Sequence, residues 1–378
     1  MNECFRVAII TPVFNEAATI RLFIEELFET VLTSHSNADL FIFEDGSTDG
    51  TKEILSEIAR SKPPRVSIRT SEARKGYPMA VRDAILSVDS GVYTHVFFVD
   101  SDRQYYTDDI TQLLEVAARH DEYDMVVGKR VKRDDPLYRR TLTAGLKMIE
   151  RVLFAPQIED ITSGLRCMKV GPAHDIAARV TYSKYNFWSE FTARAASRNL
   201  NIAELPVKHR QREEGESRVF SPAAALKIAW AEFYAVARVF VEEHFRQLSK
   251  FALVGATGAL LILLLTWLFT SFGGLWYVLS AAIAIELSIF WAFALNTTVT
   301  FRHQFKEKRH AVTALAKYQC TSLGGYSLNI VVLFVLTEYA HLFYLVAELL
   351  AIIAAFSVNY LLSVRFVWIK EAQREYET

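Results

Sequence analysis

The chain has 378 residues, more than one average domain, and 51% of them are hydrophobic, a high share for a wholly soluble protein that argues for a membrane part. With 42 basic and 43 acidic residues the formal net charge is -1, so no global field selects nucleic acid and no such partner is expected. Three scattered cysteines, Cys4, Cys167 and Cys320, lack C-x-x-C spacing and suit a reducing compartment better than a disulfide framework.

The first apolar run, residues 7–10, ends before Pro12 and is too short for a secretory signal. It reads as a buried strand. From Arg6 to about Glu204, β-branched or aromatic runs at 7–10, 40–43, 66–69, 96–99 and 125–127 alternate with helical patterns, which argues an α/β sheet, largely parallel. Residues 19–32 keep Ile20, Phe23, Ile24, Leu27, Phe28 and Val31 at helical spacing. A helix over 108–119 is expected to follow Thr107 as N-cap.

After about Pro222 the pattern changes. A one-faced apolar helix over 223–241 precedes four apolar stretches, 251–272, 276–295, 318–336 and 343–362, each near the roughly 20 residues that a bilayer-crossing helix needs. Four in succession exceed what a soluble core usually contains, buried core helices being the alternative. Arg302, Lys306, Lys308, Arg309 and Lys317 lie between the second and third stretches, whereas the short loops near Gly273 and His341 hold no Lys or Arg. This charge pattern predicts that the central loop and both large flanks are cytosolic. Lys250-Phe251 with Gly258 recurs as Lys317-Tyr318 with Gly325, and Glu286 with Phe293 and Asn296 recurs as Glu348 with Phe356 and Asn359, so two helix hairpins repeat. Glu286 and Glu348 are read either as packing groups between hairpins, through Asn296 and Asn359, or as groups that handle lipid.

The chemistry centres on residues 99–104, Val-Asp-Ser-Asp-Arg-Gln, where a strand ends in carboxylates one residue apart. Ligands of open α/β sheets collect at the carboxyl ends of strands, and Mg2+ or Mn2+ takes oxygen ligands shared between one or two carboxylates and substrate phosphates. Alone, such a tripeptide is equally a solvated turn or a helix cap. Two more strand ends supply context: residues 10–16, Ile-Thr-Pro-Val-Phe-Asn-Glu, and residues 43–50, Phe-Glu-Asp-Gly-Ser-Thr-Asp-Gly.

Together these segments resemble the family 2 glycosyltransferases of GT-A fold, over about residues 5–220. Residues 160–166, Asp-Ile-Thr-Ser-Gly-Leu-Arg, and Arg212 with Gly215-Glu216-Ser217-Arg218 narrow the resemblance to the branch of dolichol-phosphate mannose synthases and related polyprenyl-phosphate glycosyltransferases. The helical part resembles the GtrA-like membrane domain. The resemblance implies an α/β GT-A, Rossmann-like domain over 1–220, amphipathic interface helices over 221–248, a four-helix transmembrane domain over 249–370 and a cytosolic tail over 371–378.

It also implies roles. Pro12, Phe14, Glu16 and Asp45 would line the nucleotide pocket, with Lys75 and Gly76 closing it. Asp100, Asp102 and Gln104 would hold the divalent cation against the diphosphate, beside Ser101. Arg212, Ser217 and Arg218 would close over the donor, and Asp100, Asp102, Arg212 and Arg218 would carry catalysis. Arg130, Arg139 and Thr143 stand where acceptor-phosphate ligands lie, the last two in a helix over 137–154 with an apolar face and basic residues, suited to a membrane surface; a solvated basic face is the alternative.

Two positions depart from the family pattern: Glu44 stands where Asp is usual, and Arg103 replaces Leu. Trp188 could stack on a sugar or pack a helix, with Glu190 nearby. The implied partners are a nucleotide-sugar donor, a polyprenyl-phosphate acceptor and the bilayer, and the implied location is a prokaryotic inner membrane. A processive polysaccharide synthase fits less well because the Gln-x-x-Arg-Trp motif is absent. A transport or scaffold protein for a glycolipid is the reading from a different class.

Overall fold

The computed structural model describes residues 5–61, 65–131, 137–154, 158–198, 200–210, 224–302 and 311–367. It divides into two units, Met1–Phe240 and Val241–Thr378.

The first unit is built on seven strands: β1 Val7–Val13, β2 Ala38–Glu44, β3 Val66–Thr70, β4 His95–Phe98, β5 Met125–Arg130, β6 Arg166–Lys169 and β7 Ile202–Val207. Their order is β3-β2-β1-β4-β6-β5-β7. All neighbours are parallel except β6, which runs antiparallel between β4 and β5. Strand β1 is buried along its whole length, as a central parallel strand covered on both faces must be. Val7 and Ile9 point into one core layer, with Phe23, Ile24 and Leu27 of α1 (Ile20–Glu26, continued by the wide turn Leu27–Leu32) and Leu113 of α4 (Thr107–Arg119). Ala8 and Ile10 point into the other, with Val81 of α3 (Tyr77–Leu86), Ile176 of α6 (Val170–Arg179) and Phe187 of α7 (Phe187–Ala196). This is the largely parallel α/β sheet that the alternating runs predict.

Three local features differ from the sequence reading. Thr107 is the first helical residue of α4, and the extended Tyr106 is its N-cap; Asp108 and Asp109 supply the first-turn negative charge that favours a helix start. Strand β6 reads Arg-Cys-Met-Lys, without a β-branched residue, and is held by pairing on both sides. Strand β7 contains Pro206, which an edge strand tolerates. The remaining helices of this unit are α2, Thr51–Arg60, and α5, Leu137–Phe154.

The later helices are α8 Ala225–Ser271, α9 Tyr277–Leu295, α10 Ala311–Glu338 and α11 Tyr344–Leu362. The interface helix expected up to residue 248 is not a separate element. No Gly or Pro stands between Leu226 and Lys250, and α8 runs on without a break. Three stretches, Ala225–Ser271, Ala282–Thr300 and Val312–Glu338, are long and apolar enough to cross a membrane by length and composition, and Leu349–Leu362 is a shorter apolar helix. The fourth expected span, 343–362, coincides with the 19 residues of α11.

The repeat has a structural counterpart. A Cβ at Gly258 would lie 2.8 Å from Ser288 Oγ on α9, and one at Gly325 would meet Asn359 on α11, so each repeated glycine lets the two helices of its own hairpin approach. Thr300 donates to Asn296 Oδ1 at 2.9 Å and Ser363 to Asn359 Oδ1 at 3.4 Å, four residues apart in both cases. Asn296 also donates to Tyr318 at 3.1 Å, while Glu286 accepts from Gln319 Nε2 at 2.5 Å on α10. Glu286 is therefore partnered across helices, but not through Asn296. The side chain of Glu348 and the tail over 371–378 lie outside the described residues.

Candidate active site

Because β1, β2, β4, β5 and β7 run the same way, their carboxyl ends share one sheet edge, and antiparallel β6 begins there. The sheet order reverses between β1 and β4, the switch point at which open α/β sheets bind ligands. The sequence motifs converge on this edge.

At the β1 and β2 ends the turns are zipped together. Asn15, at φ 55, donates its amide to Ser47 Oγ at 2.9 Å and accepts Thr48 N–H on Oδ1 at 2.7 Å. Asn is among the few non-glycine residues that tolerate this left-handed backbone. Glu16 N–H donates to Thr51 Oγ1 at 2.9 Å, Glu16 Oε2 accepts from Thr19, and Asp49 accepts from Ala17 N–H and Thr51. Pro12 is buried in β1, and Phe14 lies 3.9 Å beneath the guanidinium of Arg74. Glu44, the departure from Asp, is 2% exposed and accepts from the Ser47 amide, so its longer side chain ties its own turn.

Asp45 is 5% exposed, and its two oxygens accept the backbone amides of Lys75 (2.7 Å) and Gly76 (2.9 Å). The carboxylate thus fixes the turn before α3. Gly46, at φ 73, could not be replaced there: a Cβ would stand 2.6 Å from the Arg74 nitrogen. The Lys75 ammonium pairs with Asp83 at 2.5 Å at the surface.

After β4, Asp100 Oδ1 accepts from the Tyr77 hydroxyl at 3.0 Å, and that hydroxyl accepts from Trp188 Nε1 at 3.1 Å. Burial and the Asp100 carboxylate push the Tyr77 phenol well above its ordinary range, so it stays a donor. Trp188 is 1% exposed and packs edge-on against Phe98, which resolves the open reading in favour of packing plus support of Tyr77. Gly164 keeps this corner narrow; a Cβ there would meet Asp100 Oδ2 at 2.7 Å. Ser101 is buried and donates to the Pro12 carbonyl at 3.3 Å, tying β4 to β1. Asp102 Oδ1 accepts from Gln104 N–H at 3.3 Å, and Gln104 Nε2 donates to the Arg210 carbonyl at 3.2 Å. That bond commits Nε2 and leaves Oε1 as the end of the Gln104 amide that can act as an oxygen ligand. Arg103, at φ 56, pairs with Glu26 at 3.3 Å, and its side chain is only 18% exposed.

Across β6, Arg130 is held in a fork by Asp160, with Nε at 2.7 Å and Nη2 at 2.8 Å, and Nη2 also donates to Thr162 Oγ1 at 2.8 Å. Its expected role toward a phosphate therefore competes with a nearly buried carboxylate. Arg166 is fully buried and serves the backbone, donating to the carbonyls of Ser163 (2.8 Å) and Ile161 (3.0 Å). Glu190 is fully buried too; it accepts the amides of residues 181–183 and pairs with Arg194, a structural task. Thr143 is half-buried on α5. Arg212, Ser217, Arg218 and the side chain of Arg139 lie outside the described residues.

Residues 8–175 match glycosyl transferase family 2, and residues 250–368 match the GtrA/DPMS transmembrane domain. Residues 8–175 form a family 2 glycosyltransferase domain. The chain is 25% identical to a dolichol-phosphate mannosyltransferase of Pyrococcus furiosus over 96% of its own length and 99% of that protein. It is 26% identical to a polyprenol monophosphomannose synthase of Mycolicibacterium smegmatis, over 57% of this chain and 81% of that one. A dolichyl-phosphate hexose transferase of Haloferax volcanii is 29% identical over 52% of this chain and 81% of its own. The glycosyltransferase domain has the mixed seven-stranded GT-A sheet that the motifs predict, and the GtrA/DPMS domain with its apolar helices makes the chain an integral membrane protein.

Proposed function

We propose that the glycosyltransferase domain transfers a hexose from a nucleotide-sugar, of GDP-mannose or UDP-glucose type, to a polyprenyl phosphate. The observation that carries this reading is the placing of Asp100, Asp102 and Gln104 at the switch point of a chain that also has a GtrA/DPMS membrane domain. The relatives named for dolichyl- or polyprenyl-phosphate sugar transfer support it.

The donor set, two carboxylates and an amide oxygen, suits Mg2+ or Mn2+, which would supply charge neutralisation for the departing diphosphate. Asp100 and Asp102 would hold it, with Tyr77 fixing Asp100 and the Arg210 carbonyl fixing Gln104. The turns at 14–19 and 45–51, with the Lys75–Gly76 turn, would seat the nucleotide. A phosphate monoester is ionised near neutral pH and needs positioning rather than a general base. Its oxygen would form the new bond to the anomeric carbon as the carbon–oxygen bond to the nucleoside diphosphate breaks, inverting the configuration in one displacement. Arg130 and Arg139 would position the acceptor phosphate, and Arg212 and Arg218 would offset charge on the leaving group. The basic residues between α9 and α10 support a cytosolic catalytic side, as in a prokaryotic inner membrane.

The test is transfer of radiolabelled sugar from GDP- and UDP-sugars to undecaprenyl or dolichyl phosphate in detergent, with Mn2+ or EDTA. A lipid product that requires metal and is abolished in Asp102→Asn is the expected result. Nucleotide-sugar binding without product from any donor would leave the glycolipid transport or scaffold reading in its place.

A further inference from the structure

We propose that Glu26 is a positioning residue for the cation-binding end of the site, acting through Arg210 on the side-chain amide of Gln104. The proposal rests on the reading that Asp100, Asp102 and Gln104 hold a divalent cation. It begins from the residue that departs from the family pattern, Arg103.

Glu26 is the last residue of α1, where the helix opens into its wide turn. Its two oxygens serve different arginines: Oε2 accepts from Arg103 Nε at 3.3 Å, and Oε1 from Arg210 Nη2 at 3.3 Å. All three side chains are three-quarters or more enclosed, so solvent screens their attraction less than it would on the open surface. Arg210 in turn lies 4.0 Å over the ring of Tyr106, donates its amide to the Gln104 carbonyl at 2.8 Å and accepts Gln104 Nε2 on its own carbonyl at 3.2 Å. Beside the Gln104–Arg210 pair, Tyr105 and His209 form an antiparallel bridge.

The Arg210 carbonyl therefore dictates which way the Gln104 amide faces. With Nε2 committed to that carbonyl, Oε1 is the end left for a cation; a flipped amide would set oxygen against oxygen. Glu26 anchors the residue that makes this choice. Its carboxylate also separates two guanidiniums on the flank of the Asp-x-Asp turn. Without it, Arg210 loses this ion pair while keeping the Tyr106 ring and its backbone bonds, and one negative charge is lost on the flank of the Asp-x-Asp turn. Both effects weaken cation binding, and neither touches the donor-seating turns.

Mn2+ binding to the full chain in detergent, followed by electron paramagnetic resonance with UDP or GDP present, tests this directly. Glu26→Gln, isosteric and uncharged, is expected to weaken Mn2+ binding about fivefold to tenfold. Arg210→Ala is expected to do the same, while KM for the nucleotide-sugar at saturating Mn2+ stays within about twofold. Glu115→Gln, which removes an exposed ion pair with Arg119 on α4, is expected to bind as the parent does. Unchanged Mn2+ affinity in a Glu26→Gln protein that melts normally overturns the proposal, as does an equal loss in Glu115→Gln. Should Glu26→Gln not fold, unchanged affinity in Arg210→Ala overturns it. Loss of Mn2+ in Asp102→Asn with none in Glu26→Gln sinks this proposal alone; full binding in Asp102→Asn sinks the cation reading with it.

Discussion

At the β1 and β2 ends of the sheet the buried carboxylates are answered by backbone amides and hydroxyls: Asp45 by Lys75 and Gly76, Asp49 by Ala17 and Thr51. At the β5 and β6 ends Asp160 is answered by arginine, in the fork with Arg130, whereas Glu150 on α5 has no hydrogen-bond partner for either oxygen among the described residues. Amides fixed in a turn lose no side-chain entropy and give a rigid seat that needs no ion. An arginine fork is strong but exchangeable, since a phosphate offers the same bidentate geometry as a carboxylate. The contrast teaches that the end proposed to seat the donor is preorganised, whereas at the end proposed for the acceptor Arg130 is committed to Asp160.

The largest effect expected from breaking that contrast is at Arg130. Arg130→Ala takes from Asp160, only 9% exposed at its side chain, its bidentate partner, which costs about 3–5 kcal/mol of unfolding free energy. Arg130→Met with Asp160→Leu should recover most of it, as urea denaturation would show. A cost under about 1 kcal/mol for the single variant would mean the fork is not an anchor. At the other end, Asp45→Ala deprives two part-buried amides of their acceptor and should cost about 1–3 kcal/mol, with weaker nucleotide binding by calorimetry. Intact nucleotide affinity in that variant would show that the Lys75–Gly76 turn does not seat the donor.

Much of the preorganised end was legible before any coordinates, because its partners lie in two short motifs whose Asn, Ser, Thr, Asp and Gly residues are turn formers with known preferences. The parallel sheet was legible from its β-branched runs. What escaped was long-range. Tyr77 and Trp188 reach Asp100 across 23 residues and, through Tyr77, a further 111, and nothing in their local sequence announces a partner. The fork of Arg130 with Asp160, 30 residues on, was hidden in the same way, so Arg130 looked available. Arg103 stands out in the sequence as a departure from the family pattern, but only the fold brings Glu26 to it.

A smaller effect sharpens the comparison at its centre, where β4 separates the two ends. Tyr77→Phe removes one hydrogen bond to a charged carboxylate and should weaken Mn2+ binding about tenfold while leaving the ring in place. The Trp188 Nε1–H loses its acceptor as well, so Trp188→Phe in the same background should add little. Additive losses would show that the two side chains reach Asp100 independently rather than in series.

The smallest effect belongs to Glu150 on α5. The residue is fully buried, and neither of its oxygens has a hydrogen-bond partner among the described residues. Burial pushes its carboxyl well above 4.5; the Glu232 carboxylate adds to the rise, and the guanidinium of Arg166, itself lowered to about 10 by burial, opposes it. A carboxyl that keeps its proton in the fold while the unfolded chain releases it contributes stability that is present below about pH 4.5 and is lost as pH rises through the folded value. Glu150→Gln removes that loss without changing shape. Its melting temperature should match the parent near pH 5 and exceed it by a few degrees near pH 8, at roughly 2–4 °C per kcal/mol for a unit of this size. A constant difference across that range would mean that Glu150 is ionised in the fold and that Arg166 serves it as Arg130 serves Asp160.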